Sequence, residues 1–292
     1  MKKKKILFHS NHSKAYSGFG KNAKNLLKYL TETNKYEVVE LANGLKLNHP
    51  ELKKLPWKAL GTLPDDDQEL HAINQNPDNA RAASYGAAMI DRIIEQERPD
   101  VYIGAEDIWA FNGYYDKHWW NKINCMIWTT LDSLPILPVA IEAAPKIKNY
   151  YVWASFAEKA LAEHNFPHVK TLRGSIDSQH FFKLEEDKRR ELRVRHQIPE
   201  SDFIIGFVFR NQLRKSVPNL LDGFKLFLQR EPQANARLLL HTHWSEGWDI
   251  PRFLSEKNID PNLVLTTYIC KNCRQYQIKP FVGQQHDCPL CG

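Results

Sequence analysis

Short, nearly continuous apolar runs recur along this chain, separated by longer stretches in which apolar residues return every three or four positions. The first kind reads as buried strands and the second as helices with one apolar face. Residues 5–10 form the first run, and from Gly18 onward Ala23, Leu26, Leu27 and Leu30 share one helical face. Residues 36–41 predict a second strand. Between Asn43 and Asn79 the chain is rich in Pro, Lys and Asp without a clear period, which predicts irregular surface structure. Ala83, Ala87, Ile90 and Ile94 then mark one long helix, followed by strands in DVYIGAE, INCMIWTT and NYYVWA. Ser155 follows as the predicted N-cap of FAEKALAEH, with Glu158 as its capping-box partner.

The stretch HVKTLRGSIDSQHFF predicts a short strand and a turn, and EEDKRRELRVRH a charged helix. The mixed signs of that helix suit solvent or a connector between domains rather than nucleic acid. FIIGFVF, ARLLLHT and NLVLTT restart the alternation, and no internal repeat is visible. Alternating strands and helices build parallel sheets with crossover helices. The expected fold class is therefore α/β, with two Rossmann-like units facing one another across a cleft.

The junction FIIGFVFRNQLRK, residues 203–215, carries the most chemistry. It predicts a strand covered on both faces, then Arg210 and Lys215, then a helix beginning at Ser216 and Pro218. In open α/β sheets ligands sit at the carboxyl ends of strands, and a guanidinium with an ammonium there suits a phosphate or diphosphate. In the first half, HSNHSKAYSGFG separates the first strand from its helix. Its small residues permit close backbone approach, and the helix N-terminus favours an anion. Gly18, Gly20 and Ala23, with Glu40 as a ribose acid, form a loose dinucleotide fingerprint, which keeps a nucleotide-cofactor oxidoreductase as an alternative.

The tail reads Cys270-x2-Cys273, fourteen residues, then Cys288-x2-Cys291. Two such knuckles place four thiolates around one tetrahedral Zn²⁺, and a full set of sulfur ligands makes the ion structural. Lys271, Arg274 and Lys279 give the segment some positive charge. A rival class follows: a catalytically inactive α/β body whose zinc ribbon binds nucleic acid or a protein partner. The fifth cysteine, Cys125, reads as a small buried hydrophobe.

Length and charge narrow the classes further. The 292 residues, 42% of them hydrophobic, suffice for two domains. Of the net charge of +6, Lys2, Lys3, Lys4 and Lys5 supply four, and the remaining +2 is no nucleic-acid footprint. No apolar run approaches the ~18 residues of a membrane span. The default expectation is a cytoplasmic chain with reduced thiols. Trp119, Trp120 and Trp128 are read as sheet packing, His241 and His243 as cleft-lining or hydrogen-bonded residues rather than metal ligands, and His9 and His12 as candidate ligand contacts in the first loop.

Taken in order, these pieces resemble a family: the retaining GT-B glycosyltransferases of family 4 (glycosyltransferase group 1), in a form like those of phage and environmental sequences. The resemblance rests on SGFG after the first strand, Glu106 and Asp107 after a middle strand, and a strand leading to LDSLP. It continues through YVWASFAEKAL, LRGSIDSQHFF and the Arg-x4-Lys of FVFRNQLRK. The resemblance implies transfer of a sugar from a nucleotide-diphosphate sugar to a hydroxyl acceptor, with retention and without a catalytic metal. It implies donor contacts at Gly18, Phe19, Gly20, Arg210, Asn211 and Lys215, acceptor contacts at Glu106, Asp107 and His12, and catalytic roles for Arg210, Lys215, Asp107 and Asp132. It divides the chain into an acceptor-side domain over 1–185, the beginning of a donor-side domain over 186–267, and a zinc ribbon over 268–292.

Two departures qualify the resemblance. Arg173 stands where the family's turn often has His, and no Glu-x7-Glu follows the Arg and Lys strand. The one pair at that spacing, Glu32 and Glu40, lies in the wrong half. With three strands expected in the second unit, the donor domain reads as missing its C-terminal part.

Overall fold

The computed structural model describes residues 2–244, 246–281, 288 and 290–292. The chain divides into two compact units, Met1–Phe181 and Phe182–Gly292. In the first, the elements are β1 (Lys4–Asn11), α1 (Gly18–Glu32), β2 (Tyr36–Lys46), β3 (Lys58–Leu63), α2 (Asp67–Asn74), α3 (Pro77–Ser84) and α4 (Ile90–Glu97). There follow β4 (Val101–Ala105), β5 (Asn124–Thr129), α5 (Pro138–Ala143), β6 (Asn149–Val152), α6 (Ser155–Glu163) and β7 (Lys170–Thr171). The strands form one parallel sheet in the order β3-β2-β1-β4-β5-β6-β7, the doubly wound arrangement of a Rossmann fold. Burial explains the apolar runs: Leu7 and Phe8 of β1 and Val39 and Leu41 of β2 are fully enclosed. Trp119, Trp120 and Trp128 are buried, as is Cys125, whose thiol donates to the Trp120 carbonyl.

Three expectations for this unit need correction. The 43–79 stretch is not irregular, because β2 runs on to Lys46, β3 and α2 lie within it, and α3 begins there at Pro77. The long helix is two helices, broken at Gly86, whose φ of +91° no helix accommodates. The capping box at α6 does not form: Ser155 makes no cap hydrogen bond, and the Glu158 carboxylate instead accepts the Thr171 N–H over 2.7 Å, tying α6 to β7.

The second unit comprises α7 (Glu186–Arg195), β8 (Phe203–Val208), α8 (Val217–Arg230), β9 (Ala236–His241), α9 (Ile250–Glu256), β10 (Val264–Ile269) and β11 (Tyr276–Pro280). Its sheet runs β11-β10-β9-β8, with β8, β9 and β10 parallel and β11 antiparallel to β10. Val217, Leu221 and Phe224 of α8 and Ile250 and Leu254 of α9 pack with Leu238, Leu240 and Val264 into one core. The expectation that residues 203–209 are covered on both faces is overturned. Among the described residues β8 is an edge strand paired only with β9, leaving Phe203 60% and Val208 75% exposed. The second unit also has a fourth strand, since β11 continues the sheet through the cysteine-bearing tail. Among the described residues no helix is long and apolar enough to cross a membrane.

Candidate functional site

In the first sheet the strand order reverses between β1 and β4, and diverging loops leave a crevice at the carboxyl ends of such strands. Asn11 ends β1 there, and Glu106 and Asp107 follow β4. The Asn11 N–H donates to Glu106 Oε1 over 2.7 Å, and the Asn43 side-chain amide donates to the same oxygen over 3.2 Å. Burial raises the Glu106 pKa to about 7, against the opposing pull of the Asn11 N–H. Because the Asn43 N–H group faces Glu106, its oxygen accepts from His9 Nε2–H over 2.7 Å. His9 Nδ1 is then left to accept the Tyr102 hydroxyl proton over 2.8 Å. His9 is fully buried in β1 rather than placed in the loop, and burial lowers its pKa to about 4. Asp107 is half-buried and accepts from the Thr130 hydroxyl over 2.8 Å, which joins the ends of β4 and β5. Asp132 is exposed, two residues past Thr130.

The loop after β1 is fixed from within. Glu40 Oε1 accepts the Ser13 N–H over 2.7 Å, while its Oε2 accepts the Ser13 hydroxyl and Trp57 Nε1–H over 2.9 and 2.6 Å. Both oxygens of the acid assigned to ribose in the dinucleotide reading are thus engaged by the protein. Ser17 caps α1 by accepting the Gly20 N–H. A Cβ on Gly20 would lie 2.6 Å from the Ala15 carbonyl oxygen and 2.8 Å from that of His12, whereas Gly18 faces open space. Phe19 packs edge-on against Trp153 at 5.3 Å. His12 is half-buried, and burial lowers its pKa.

In the second unit Arg210, Asn211 and Lys215 lie on the loop between β8 and α8. Asn211 is 1% exposed and anchors the neighbouring β9–α9 loop. Its amide donates to the Trp248 carbonyl over 2.8 Å, and its oxygen accepts the Trp248 N–H over 3.1 Å. Gly247, at φ +65°, is pressed so closely on the Asn211 carbonyl that a Cβ would lie 2.2 Å from it. Trp248 Nε1–H donates to the Leu213 carbonyl over 3.0 Å, so bonds between side chains and backbone join the two loops into one rim. Arg210 is 71% exposed and pairs with Glu246 at 3.2 Å. Lys215 is half-buried in a short helical turn ahead of Ser216, whose φ of +49° redirects the chain into α8. His241 ends β9 and His243 lies beyond it; both are exposed. An apolar groove lined by Leu254, Ile259 and Phe281 lies elsewhere in this unit and contains none of these cations.

The four tail cysteines converge. Their sulfurs all lie within 4.8 Å of one another, with Cys270 and Cys291 at 3.6 Å and Cys273 and Cys288 at 3.8 Å. Four sulfurs at ~2.3 Å from a tetrahedral Zn²⁺ stand about 3.8 Å apart. These separations are far beyond a disulfide bond of ~2.05 Å. The Asn272 and Cys273 N–H groups both point at Cys270 Sγ, which favours its thiolate form. The cluster can hold a metal ion. Residues sequence reasoning missed are Asn43, Thr130, Glu246, Trp244 and Trp248, none of which belongs to a spaced motif.

Neither a family model nor a curated protein sequence matches this chain. Solved structures do. TarM aligns over 93% of this chain and 78% of its own at 11% identity, with a TM-score of 0.58. The catalytic domain of starch synthase IV from Arabidopsis thaliana, bound to ADP and acarbose, aligns over 87% and 70% at 12% identity, with a TM-score of 0.50. A trehalose-6-phosphate structure from E. coli, bound with UDP-2-fluoro glucose, aligns over 87% and 69% at 13% identity, with the same score. At these identities the likeness establishes the architecture, that of GT-B Rossmann-like proteins.

Proposed function

We propose that this protein is a retaining glycosyltransferase that moves a sugar from a nucleotide-diphosphate sugar to a hydroxyl acceptor. The observation that carries the reading is the loop after β8, where Arg210 and Lys215 flank a buried Asn211 that locks the rim. A GT-B-type architecture and neighbours bound to ADP and to UDP-2-fluoro glucose support it. In this reading the donor's diphosphate lies against Arg210 and Lys215. As the bond between the sugar C1 and the β-phosphate oxygen breaks, its electron pair stays on the phosphate, and the two cations stabilise that growing charge. The acceptor oxygen bonds to C1 on the same face, and its proton passes to the departing phosphate. No divalent metal is needed for this charge balance. Glu106, Asp107 and His12 are assigned to the acceptor side, Asp107 and Asp132 to the catalytic set, and the 18–20 loop to a donor contact. With its pKa raised by burial to about 7, Glu106 is protonated in about half of the molecules at neutral pH, and that form can donate a hydrogen bond to an acceptor hydroxyl. The cysteine cluster is assigned one structural Zn²⁺, because four thiolates leave no open position for catalytic water.

Calorimetry with uridine and adenosine diphosphate sugars tests donor binding, and release of free nucleotide with and without simple sugar acceptors tests turnover. Micromolar binding with slow hydrolysis is the expected result. Absence of binding to the whole panel would remove the reading. Binding without turnover would keep the donor site and remove the transfer step.

A further inference from the structure

We infer that the zinc-closed cysteine hairpin is a brace for the diphosphate-binding rim, acting through the stacked rings of Phe281 and Trp244. Cys270 directly follows β10 and Cys273 precedes β11, whereas Cys288 and Cys291 come after it. An ion held by all four therefore ties the chain before β11 to the chain after it. Both ends of the edge strand are fixed, which removes the freedom an antiparallel edge strand otherwise has to fray. Phe281 sits just past β11, within this closed segment. Its ring lies on Trp244 with centroids 3.8 Å apart and planes 11° from parallel.

Trp244 belongs to the β9–α9 loop, and its indole N–H donates to the Thr266 hydroxyl over 2.7 Å. Thr266, buried in β10, donates in turn to the Leu240 carbonyl of β9. The same loop carries Glu246, which pairs with Arg210, and Gly247 and Trp248, which grip Asn211. On the other side of the hairpin, His196 at the end of α7 stacks on Tyr276 at 5.1 Å, and Arg195 donates to the Gln275 side chain. Contacts thus run from the cluster through β11 and Phe281 to Trp244, and the same loop then carries Glu246, Gly247 and Trp248, which meet Arg210 and Asn211. Phe281 and Trp244 are positioning residues. What the rim binds rests on the proposed function; that the hairpin holds it does not.

The test uses the full chain and three variants, Cys288→Ser, Phe281→Ala and Phe281→Tyr, with zinc content, hydrogen exchange at Trp248 and affinity for UDP as readouts. The Trp248 N–H is the reporter because Asn211 holds it. About one zinc per chain is expected in wild type and in both Phe281 variants, and less in Cys288→Ser. Exchange at Trp248 should rise about 3- to 10-fold in Phe281→Ala, the size expected for loss of a stacked aromatic pair, and return to wild type in Phe281→Tyr. Cys288→Ser should raise it at least as much. Unchanged exchange in Phe281→Ala, or full zinc retention in Cys288→Ser, would overturn the brace. A wild-type chain that binds no nucleotide would sink the donor reading alone, since metal content and exchange still decide the brace.

Discussion

Asn43 links His9 to Glu106, accepting from the imidazole over 2.7 Å and donating to the carboxyl over 3.2 Å. The three residues come from β1, β2 and the end of β4, so the register of three parallel strands creates the contact. Each ionisable end is buried and held against its charged form: the acid is pushed up and the base down. Between about pH 4 and 7 a neutral chain of donors and acceptors therefore stands at the switch point of the first sheet.

Opposed pH dependences follow. Glu106 titrates near 7 in the folded chain and near 4.5 when unfolded, so its contribution is full below about pH 4.5 and is lost as pH rises to 7. His9 titrates near 4 folded and 6.5 unfolded, so its contribution is full above 6.5 and is lost as pH falls to 4. Each amounts to roughly 3 kcal/mol across its window, and between pH 4.5 and 6.5 the two slopes cancel. Glu106→Gln removes one of them. Urea titrations should show the variant gaining about 3 kcal/mol relative to wild type between pH 4.5 and 7.5. A constant difference across that range would mean that Glu106 ionises normally.

The first loop offers a steric contrast between its two glycines. Gly20→Ala forces a methyl against two backbone carbonyls that the Ser13 and Glu40 bonds hold in place, and should cost about 1–3 kcal/mol. Gly18→Ala meets open space at the start of α1 and should leave stability unchanged or raise it by up to about 1 kcal/mol. Thermal melts of the two variants decide this. Equal losses would contradict the loop geometry.

The strands that were legible in the sequence are those with enclosed side chains, such as β1 and β5, whose runs carry the signal directly. Short α2 buries no residue, and β3, an edge strand among the described residues, has its apolar run broken by Lys58, Gly61 and Thr62, so neither leaves an apolar period to read. The paired cations and the cysteine knuckles were visible because their spacing is local. The Asn43 bridge, the Thr130 contact and the Glu246 partner of Arg210 were not, because they depend on strand register and loop return over tens of residues. Glu158 shows the same limit: a local capping motif lost to a partner thirteen residues away.

Arg210→Ala and Lys215→Ala isolate the proposed diphosphate contact. Arg210 is mostly exposed and Lys215 half-buried, so truncation should move the melting temperature by no more than about 2 °C. A charge-assisted hydrogen bond to phosphate is worth ~1.5–3 kcal/mol, so each change should weaken UDP binding by about 10- to 100-fold. Affinity within twofold of wild type in both variants would remove these residues from the site.

Glu246 supplies the last test, because its carboxylate occupies the Arg210 guanidinium that a diphosphate would need. The pair is largely exposed, and such pairs are worth ~0.2–1 kcal/mol, so a diphosphate with two charges and several oxygens displaces it readily. Glu246→Gln removes the competing charge. Affinity for UDP should rise about 1.5- to 5-fold at low salt, and the gain should shrink as ionic strength increases. In an Arg210→Ala background the same substitution should have almost no effect, because the competition runs through that one guanidinium. An identical gain in both backgrounds would show that Glu246 acts by long-range repulsion, and that Arg210 is not the group the anion meets.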